Sequence, residues 1–343
     1  MRDDVRDIAL MFLPKAQNND LEIMEISSGL INQSFKVKTF QSVYVLQRIN
    51  HFVFLQPKLI HHNYKKVKGY LLANGFSKQT LSFLIDDKGE DVKNINDEYW
   101  RMSEFIDGET YGVCTNPILA YNSARVLAEF HYCLKEMDTA ELEVPIKGFC
   151  DFTYRVKQFK GALISGNLKR MTIAKNLIKA VNANLHYISE YIEVEKNIVK
   201  RTIHGDPKVS NFLFDRTNDY VISLIDIDTI MPGTILYDFG DMVRSFANNS
   251  NEDSTMNKKS FKSDVYESLK NGYLSIGEQF MTQEEKSSLG LSAMCVSLIQ
   301  CIRFLTDYLN SDVYYKVTEP KQNLNRATNQ FTFYKELKEY LIL

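Results

Sequence analysis

The segment HGDPKVSNFLFD, residues 204–215, followed by LIDID at 224–228, constrains this chain more than any other stretch. Asn211 opens an apolar run, DRTND supplies turn residues, and YVISLI returns as a second β-prone run that ends beside Asp226. Paired as an antiparallel hairpin, the arms put Phe214 near Val221 or Ile222, and that register carries Asn211 opposite Leu224 to Asp226. Asp206, five residues before Asn211, then lies on the loop entering that end. Two carboxylates and an amide converging there are hard oxygen donors, the kind Mg²⁺ takes when most of its shell is water and phosphate. The chemistry they suit is phosphoryl transfer. Asp206 would orient a hydroxyl and accept its proton, while Asn211 and Asp226 would hold a divalent ion bridging nucleotide phosphates. An isolated HGD reads as an ordinary turn; the Asp-x4-Asn spacing, the hairpin length and LIDID together point to a site. Asp228 shares a strand face with Asp226 in this reading, as a second ligand or a surface acid. His204 reads as a hydrogen-bonding support for the loop.

The rest of the chain sets limits on that reading. Its 343 residues are enough for about two domains. Apolar residues at 44% and charged residues at 24% are ordinary for a globular protein, so the whole chain is expected to fold. Lys and Arg number 41 against 43 Asp and Glu, a net charge of -2, which offers no general attraction to nucleic acid. The basic runs KKVK at 65–68 and NKKSFK at 257–262 read as solvated surface. Five cysteines without CxxC spacing indicate neither a disulfide framework nor a thiolate metal site. The N-terminal MRDDVRDIALMFLP lacks a cleavable leader pattern, and no stretch reaches the ~18 apolar residues of a membrane span, so the expected setting is cytoplasmic, without membrane contact.

No internal repeat is present, so the organisation follows from the elements. LEIMEIS, SFKVKTF and VYVLQRI read as an antiparallel meander, and a helix follows Pro57 with a stop at Gly75. Residues 79–106 read as further strands. Beyond them, Asn116 and Pro117 cap and open a helix in which Leu127, Phe130 and Leu134 recur at helical spacing. Helical patterns continue through 169–200, 261–280 and 284–310. The class is therefore α+β: a small antiparallel β-rich N-terminal lobe, residues 1–105, and a larger helical lobe, residues 106–343, with a ligand cleft between them.

HGDPKVSN, LIDID and the later YDFGD resemble the aminoglycoside phosphotransferase and choline kinase family, whose fold is related to protein kinases. LQRINHFVF at 46–54, YWRM at 99–102, DIDTIMPG at 226–233 and RFLTDYLNSDVYY at 303–315 resemble its N-acetylhexosamine 1-kinase branch. The resemblance implies a protein-kinase-like bilobal fold, with ATP and Mg²⁺ as cofactors and a small sugar as partner. The implied reaction is phosphorylation of the anomeric hydroxyl of an N-acetylhexosamine. Asp206 is then the catalytic base, and Asn211 and Asp226 the metal ligands. Gly29 and Asn32 belong to the loop SSGLINQSF over the nucleotide phosphates, and Glu104 and Ile106 grip adenine through backbone groups. Competing acceptors are an aminoglycoside, choline or another sugar, and a nucleotide-binding pseudokinase is the non-enzymatic alternative.

Two departures from the family accompany the match. The third strand, VYVLQRIN, lacks the phosphate-binding lysine, leaving Arg48 or Gln47; only Arg48 supplies charge, so Arg48 is expected there. The helix after Pro57 has no acid to pair with such a cation. Asp238, in Asp238-Phe239-Gly240, reads as a cap or loop anchor rather than a metal ligand, being too far from the hairpin. Arg303 has two readings, a pair with Asp307 one turn on or a group aimed into the cleft. The resemblance favours the second and adds Tyr314 to the sugar site. His61 and His62 lie on different helix faces and make no zinc site; His131 reads as a packed helix residue.

Overall fold

Alternating side chains in the first hundred residues build a five-stranded antiparallel sheet in the order β1-β2-β3-β5-β4. The computed structural model describes residues 2–13, 21–26, 31–86, 88–249 and 260–342. Helix α1 (Arg2–Phe12) precedes β1 (Glu22–Ile26), β2 (Gln33–Lys38) and β3 (Val43–Ile49), which form the expected meander. One sheet face gathers Phe35, Val37, Leu46, Trp100 and Met102 against Val5, Ile8 and Phe12 of α1, a helix that the sequence reading takes only as a short apolar run.

Helix α2 (Pro57–Ala73) opens on Pro57 and stops where expected. Gly75 there takes φ 73°, with Phe76 N–H reaching the Leu71 carbonyl at 2.9 Å. Among the described residues, strand β4 (Lys93–Ile95) and strand β5 (Glu98–Glu104) are the strands formed between 79 and 106. Asn96 and Asp97, with φ 54° and 62°, make the tight turn joining them. Gln79 and Phe83 form single bridges, to Ser223 and Ser103, rather than strands.

Helix α3 (Pro117–Cys133) is capped by Asn116, whose side chain accepts from Leu119 N–H at 2.9 Å; Leu127, Phe130 and Leu134 are buried as predicted. Helices α4 (Phe152–Ser165) and α5 (Leu168–Glu195) follow. Two short ribbons come next, β6 (Arg201–Ile203) with β9 (Met231–Gly233), and β7 (Phe212–Phe214) with β8 (Val221–Leu224). Helices α6 (Ile235–Phe246), α7 (Ser263–Gly277), α8 (Gln283–Ser287), α9 (Leu289–Leu309) and α10 (Gln322–Ile342) complete the helical lobe. The antiparallel sheet and the helical lobe together make the protein-kinase-like architecture expected from the sequence.

The larger core takes Ile60, Tyr64, Val67 and Leu71 of α2 together with Leu127, Phe212 and Leu298, so apolar packing is continuous between α2 and the helical lobe. Helix α9 runs through this core. It is long and apolar enough to cross a membrane, contrary to the expectation of no such stretch, with a mean hydropathy of 1.6, yet 83% of that window is buried inside the fold. In the sequence, Arg303 and Asp307 interrupt its apolar run. All five cysteines are free thiols.

Candidate active site

Strands β7 and β8 pair as Phe212 with Leu224, Leu213 with Ser223 and Phe214 with Val221. One step beyond, Ile225 N–H donates to the Asn211 carbonyl at 2.9 Å, so Asn211 and Asp226 reach the same end of the ribbon. The Asn211 amide Nδ2 donates to the Asp206 carbonyl at 2.7 Å and to Asp206 Oδ2 at 3.1 Å. These bonds commit the nitrogen and leave Oδ1 as the acceptor that Asn211 can offer. Lys208 Nζ lies 2.5 Å from Asp206 Oδ2.

At Asp226 the backbone turns left-handed, φ 64°, and enters a 3-10 turn over Ile227–Thr229. Burial raises the Asp226 carboxyl to about 6; the Lys208 ammonium and Arg101 guanidinium oppose the rise, while the Asp228 and Asp206 carboxylates add to it. Three carboxylates and two cations thus share one neighbourhood. Because the strand ends before Asp226, the expected strand-face relation between Asp226 and Asp228 does not hold.

The loop itself is fastened from below. Gly205 sits at φ 84°, and a Cβ there would lie 2.5 Å from the Thr229 carbonyl oxygen, so only glycine fits. His204 is buried, which lowers its pKa, and its Nε2 contacts the Ile225 carbonyl at 3.0 Å. Asp238, wholly buried in the first turn of α6, accepts from the backbone N–H of His204 at 2.7 Å and of Gly205 at 2.8 Å. His131 Nε2 meets the same carboxylate at 3.0 Å, and its Nδ1 meets the Tyr273 hydroxyl at 2.6 Å. Asp238 is thus engaged as a loop anchor, while Thr234 occupies the cap position. His131, expected as simple packing, is part of that support.

The sheet contributes differently from the sequence expectation. Arg48 points to the α1 face, 2.7 Å from Glu98 and 6.0 Å from the Trp100 ring centroid. Strand alternation explains the correction: the opposite face carries Ser34, Gln47 and Arg101, which are register partners. Arg101 Nε donates to Gln47 Oε1 at 2.9 Å, and Gln47 Nε2 donates to Ser34 Oγ at 2.9 Å. Arg101 Nη1 then reaches Asp228 Oδ1 at 2.6 Å, both side chains being 2% exposed. Asn32 Nδ2 holds the other oxygen of Asp228 at 2.6 Å, and its own Oδ1 accepts from Asn50 N–H at 3.0 Å. Asp228 is therefore no surface acid but a buried clasp between the sheet and the hairpin. Helix α2, lacking an acid, brings His61, whose Nδ1 is 3.0 Å from Asp91 Oδ2. Gly29 lies outside the described residues.

At the end of β5, Glu104 N–H is taken by the Ser82 carbonyl at 2.8 Å, and Phe105 N–H by the Val43 carbonyl at 3.0 Å. Any backbone contribution of Glu104 to a nucleotide must come from its carbonyl, with Ile106 two residues on. Glu109 pairs with Phe214 through backbone bonds of 3.0 and 2.8 Å, fixing this segment to the hairpin.

On the helical side, Arg303 is not paired with Asp307. Asp307 instead accepts from the backbone N–H groups of Val313, Tyr314 and Tyr315 at 3.0, 2.8 and 3.0 Å, and from Asn323 Nδ2 at 2.9 Å. Arg303 Nη1 donates to Gln300 Oε1 at 2.9 Å, and its guanidinium lies 4.9 Å from the Phe149 ring centroid and 5.9 Å from that of Tyr315. Tyr314 packs edge-on against Tyr315, with centroids 4.8 Å apart. Arg303 and Tyr314 thus belong to one cluster of cationic and aromatic side chains, which also takes in Arg155 of α4, a residue not singled out from the sequence. Asp151 could have marked α4: its side chain accepts from Tyr154 N–H at 2.9 Å as an N-cap.

Among the described residues no group of three or more His, Cys, Asp or Glu is arranged as a metal cluster. The donor set at 211 and 226 fits a hard divalent ion that keeps most of its shell for water and phosphate: an oriented amide oxygen and a carboxylate crowded by two others, whose repulsion a cation would relieve.

A family model described as the phosphotransferase enzyme family matches residues 22–261. The structure is similar to a microcompartment-associated aminopropanol kinase, with a TM-score of 0.67, 15% identity, and coverage of 98% of this chain and 97% of that one. It is similar to choline kinase from Cryptosporidium parvum Iowa II, with a TM-score of 0.60, 15% identity, and coverage of 100% and 96%. A spectinomycin phosphotransferase in complex with ADP and spectinomycin matches with a TM-score of 0.59, 11% identity, and coverage of 92% and 91%.

Proposed function

This chain belongs to the phosphotransferase enzyme family, and we propose that it transfers the γ-phosphoryl group of ATP to the anomeric hydroxyl of an N-acetylhexosamine, in the cytoplasm and with Mg²⁺. The observation that carries the transfer chemistry is the convergence of Asp206, Asn211 and Asp226 at one end of a two-stranded ribbon. Asp206 is held on its backbone side by Asn211 and on its carboxylate by both Asn211 and Lys208. So oriented, it accepts the proton of the acceptor hydroxyl as the oxygen attacks phosphorus. Lys208, beside it, offsets negative charge gathering at the transferring group. Asn211 and Asp226 are the residues that would hold Mg²⁺, which would supply positive charge to offset that of the phosphates. Glu104 and Ile106 offer backbone groups to the base.

The acceptor assignment rests on the cluster of Arg303, Arg155 and Tyr314 at α9 and on the motif resemblance of 303–315. Choline and aminopropanol, the substrates in the names of two structural neighbours, carry a cationic nitrogen. A site beside Arg303 and Arg155 repels such acceptors, whereas guanidinium donors and tyrosine rings suit a hydroxylated sugar.

The test is ADP release with product analysis across N-acetylglucosamine, N-acetylgalactosamine, glucose, choline and an aminoglycoside. A sugar 1-phosphate is expected, and Asp206→Asn should lower kcat by at least about 100-fold with ATP binding retained. Transfer to choline alone, or full turnover by the variant, would refute the reading.

A further inference from the structure

Two guanidinium groups come together beside the proposed acceptor position, and among the described residues no carboxylate is bound to either. Arg155 is 9% exposed; Nη1 donates to Gln158 Oε1 at 3.0 Å, Nη2 reaches the Phe149 carbonyl at a long 3.4 Å, and Nε is buried with no hydrogen-bond partner. Arg303 rests on the ring of the same Phe149 and donates to neutral Gln300. Burial and the charge of Arg303 both lower the pKa of Arg155, as expected of like charges placed together. The contrast within the molecule is clear: buried Arg101 and Arg244 each pair with an aspartate, at 2.6 and 2.8 Å.

A guanidinium does not escape this by losing its proton, and a buried charge lacking a partner is strongly disfavoured. Aromatic faces compensate only in part. Acids around this pair are engaged elsewhere: Asp151 on the Tyr154 N–H, Asp307 on the backbone of 313–315, Asp238 on the loop backbone and His131, and Asp241 on Arg244. Arg155, with its Nε unpartnered, and the half-buried Arg303 beside it leave a place for a ligand's negative charge.

We infer that the acceptor itself is anionic: a hexosamine bearing a carboxylate or phosphate away from its reacting hydroxyl, clamped between Arg155 and Arg303 at the rim formed by Tyr314. This rests on the reading above that the acceptor lies beside Arg303. The transfer step is unchanged. The acceptor oxygen bonds to the γ-phosphorus, the bond to the β-bridging oxygen breaks, the hydroxyl proton passes to Asp206, and ADP leaves. The anionic substituent fixes the sugar but takes no part in the chemistry.

The experiment compares wild type, Arg155→Gln and Arg155→Lys on N-acetylglucosamine, N-acetylglucosamine 6-phosphate and N-acetylglucosaminuronic acid. ADP release and product mass are followed, and equal melting curves certify the variants. One anionic sugar should exceed the neutral one in kcat/KM by about 100-fold in wild type. Arg155→Gln should collapse that ratio at least about 30-fold, chiefly through KM, and Arg155→Lys should restore part of it. The better of the two anions identifies the group as phosphate or carboxylate. A neutral sugar used as well as both anions would overturn the inference, as would an equal loss on all three, which would instead assign the pair to the transferring phosphoryl group. Calorimetric binding of the two anionic sugars separates the premises. Arg155-dependent binding without any transfer would sustain the anion pocket and refute the kinase reading, while turnover without Arg155-dependent preference would do the reverse.

Discussion

Replacing Arg101 by Met would isolate the energetics of the clasp between sheet and hairpin. In the native chain the guanidinium lies 2.6 Å from Asp228, and both side chains are 2% exposed. Methionine fills similar volume but leaves a buried carboxylate supported only by the Asn32 amide. Removing one partner of a buried pair costs about 3–5 kcal/mol, because the remaining charge stays desolvated. Removing both charges in Arg101→Met/Asp228→Asn keeps an oxygen for Asn32 and abolishes the stranded charge. The double variant should therefore return to within about 1–2 kcal/mol of wild type. Urea unfolding of the four proteins at pH 7.5, with slopes compared to check that the denatured states match, yields the coupling energy directly. A single variant that loses under about 1 kcal/mol, or a double whose loss equals the sum of the singles, would show that the two side chains do not form the buried pair described.

Asp238→Asn should destabilise by about 2–4 kcal/mol, since an amide supplies one acceptor where two backbone N–H groups and His131 need two; intact stability with a selective loss of Mg²⁺ affinity would refute the anchor role. Asp226 gives a pH signature in metal-free protein. Its carboxyl titrates near 6 folded against an ordinary 3.8, so the folded state binds the proton more tightly, and stability falls as pH rises from about 4 through 6. That is about two units, or up to about 3 kcal/mol, which Asp226→Asn should recover at pH 7.5 in EDTA. Parallel melting profiles from pH 4 to 8 for the two proteins would contradict it.

Local signals were legible where one element decides the outcome. The apolar runs around DRTND predict the hairpin register, Asn116 and Pro117 predict the start of α3, and Gly75 predicts the end of α2, because each depends on backbone rules acting over a few residues. Arg48 was misplaced for a reason the sequence contains: buried Trp100 on one face of β5 puts Arg101 on the other, and the same alternation separates Gln47 from Arg48. Asp228 was less accessible, since the left-handed turn at Asp226 breaks the alternation, and no glycine or asparagine announces it. Arg155 lay beyond such reasoning altogether. It gains meaning only when α4 packs against α9 and brings it to the Phe149 that Arg303 also touches.

Asp307 gathers three successive backbone N–H groups, so the segment bearing Tyr314 and Tyr315 is tied to that carboxylate, with Asp312 before it held by Arg170 and Asn323, apart from the ribbon that carries Asp206. Lengthening or re-tilting that suspended arch would reshape the wall facing the proposed acceptor while the hairpin, its anchor and the clasp keep their positions. Descendants of such a chain could exchange one phosphorylated compound for another by editing the residues near the arch, with the machinery of transfer inherited intact.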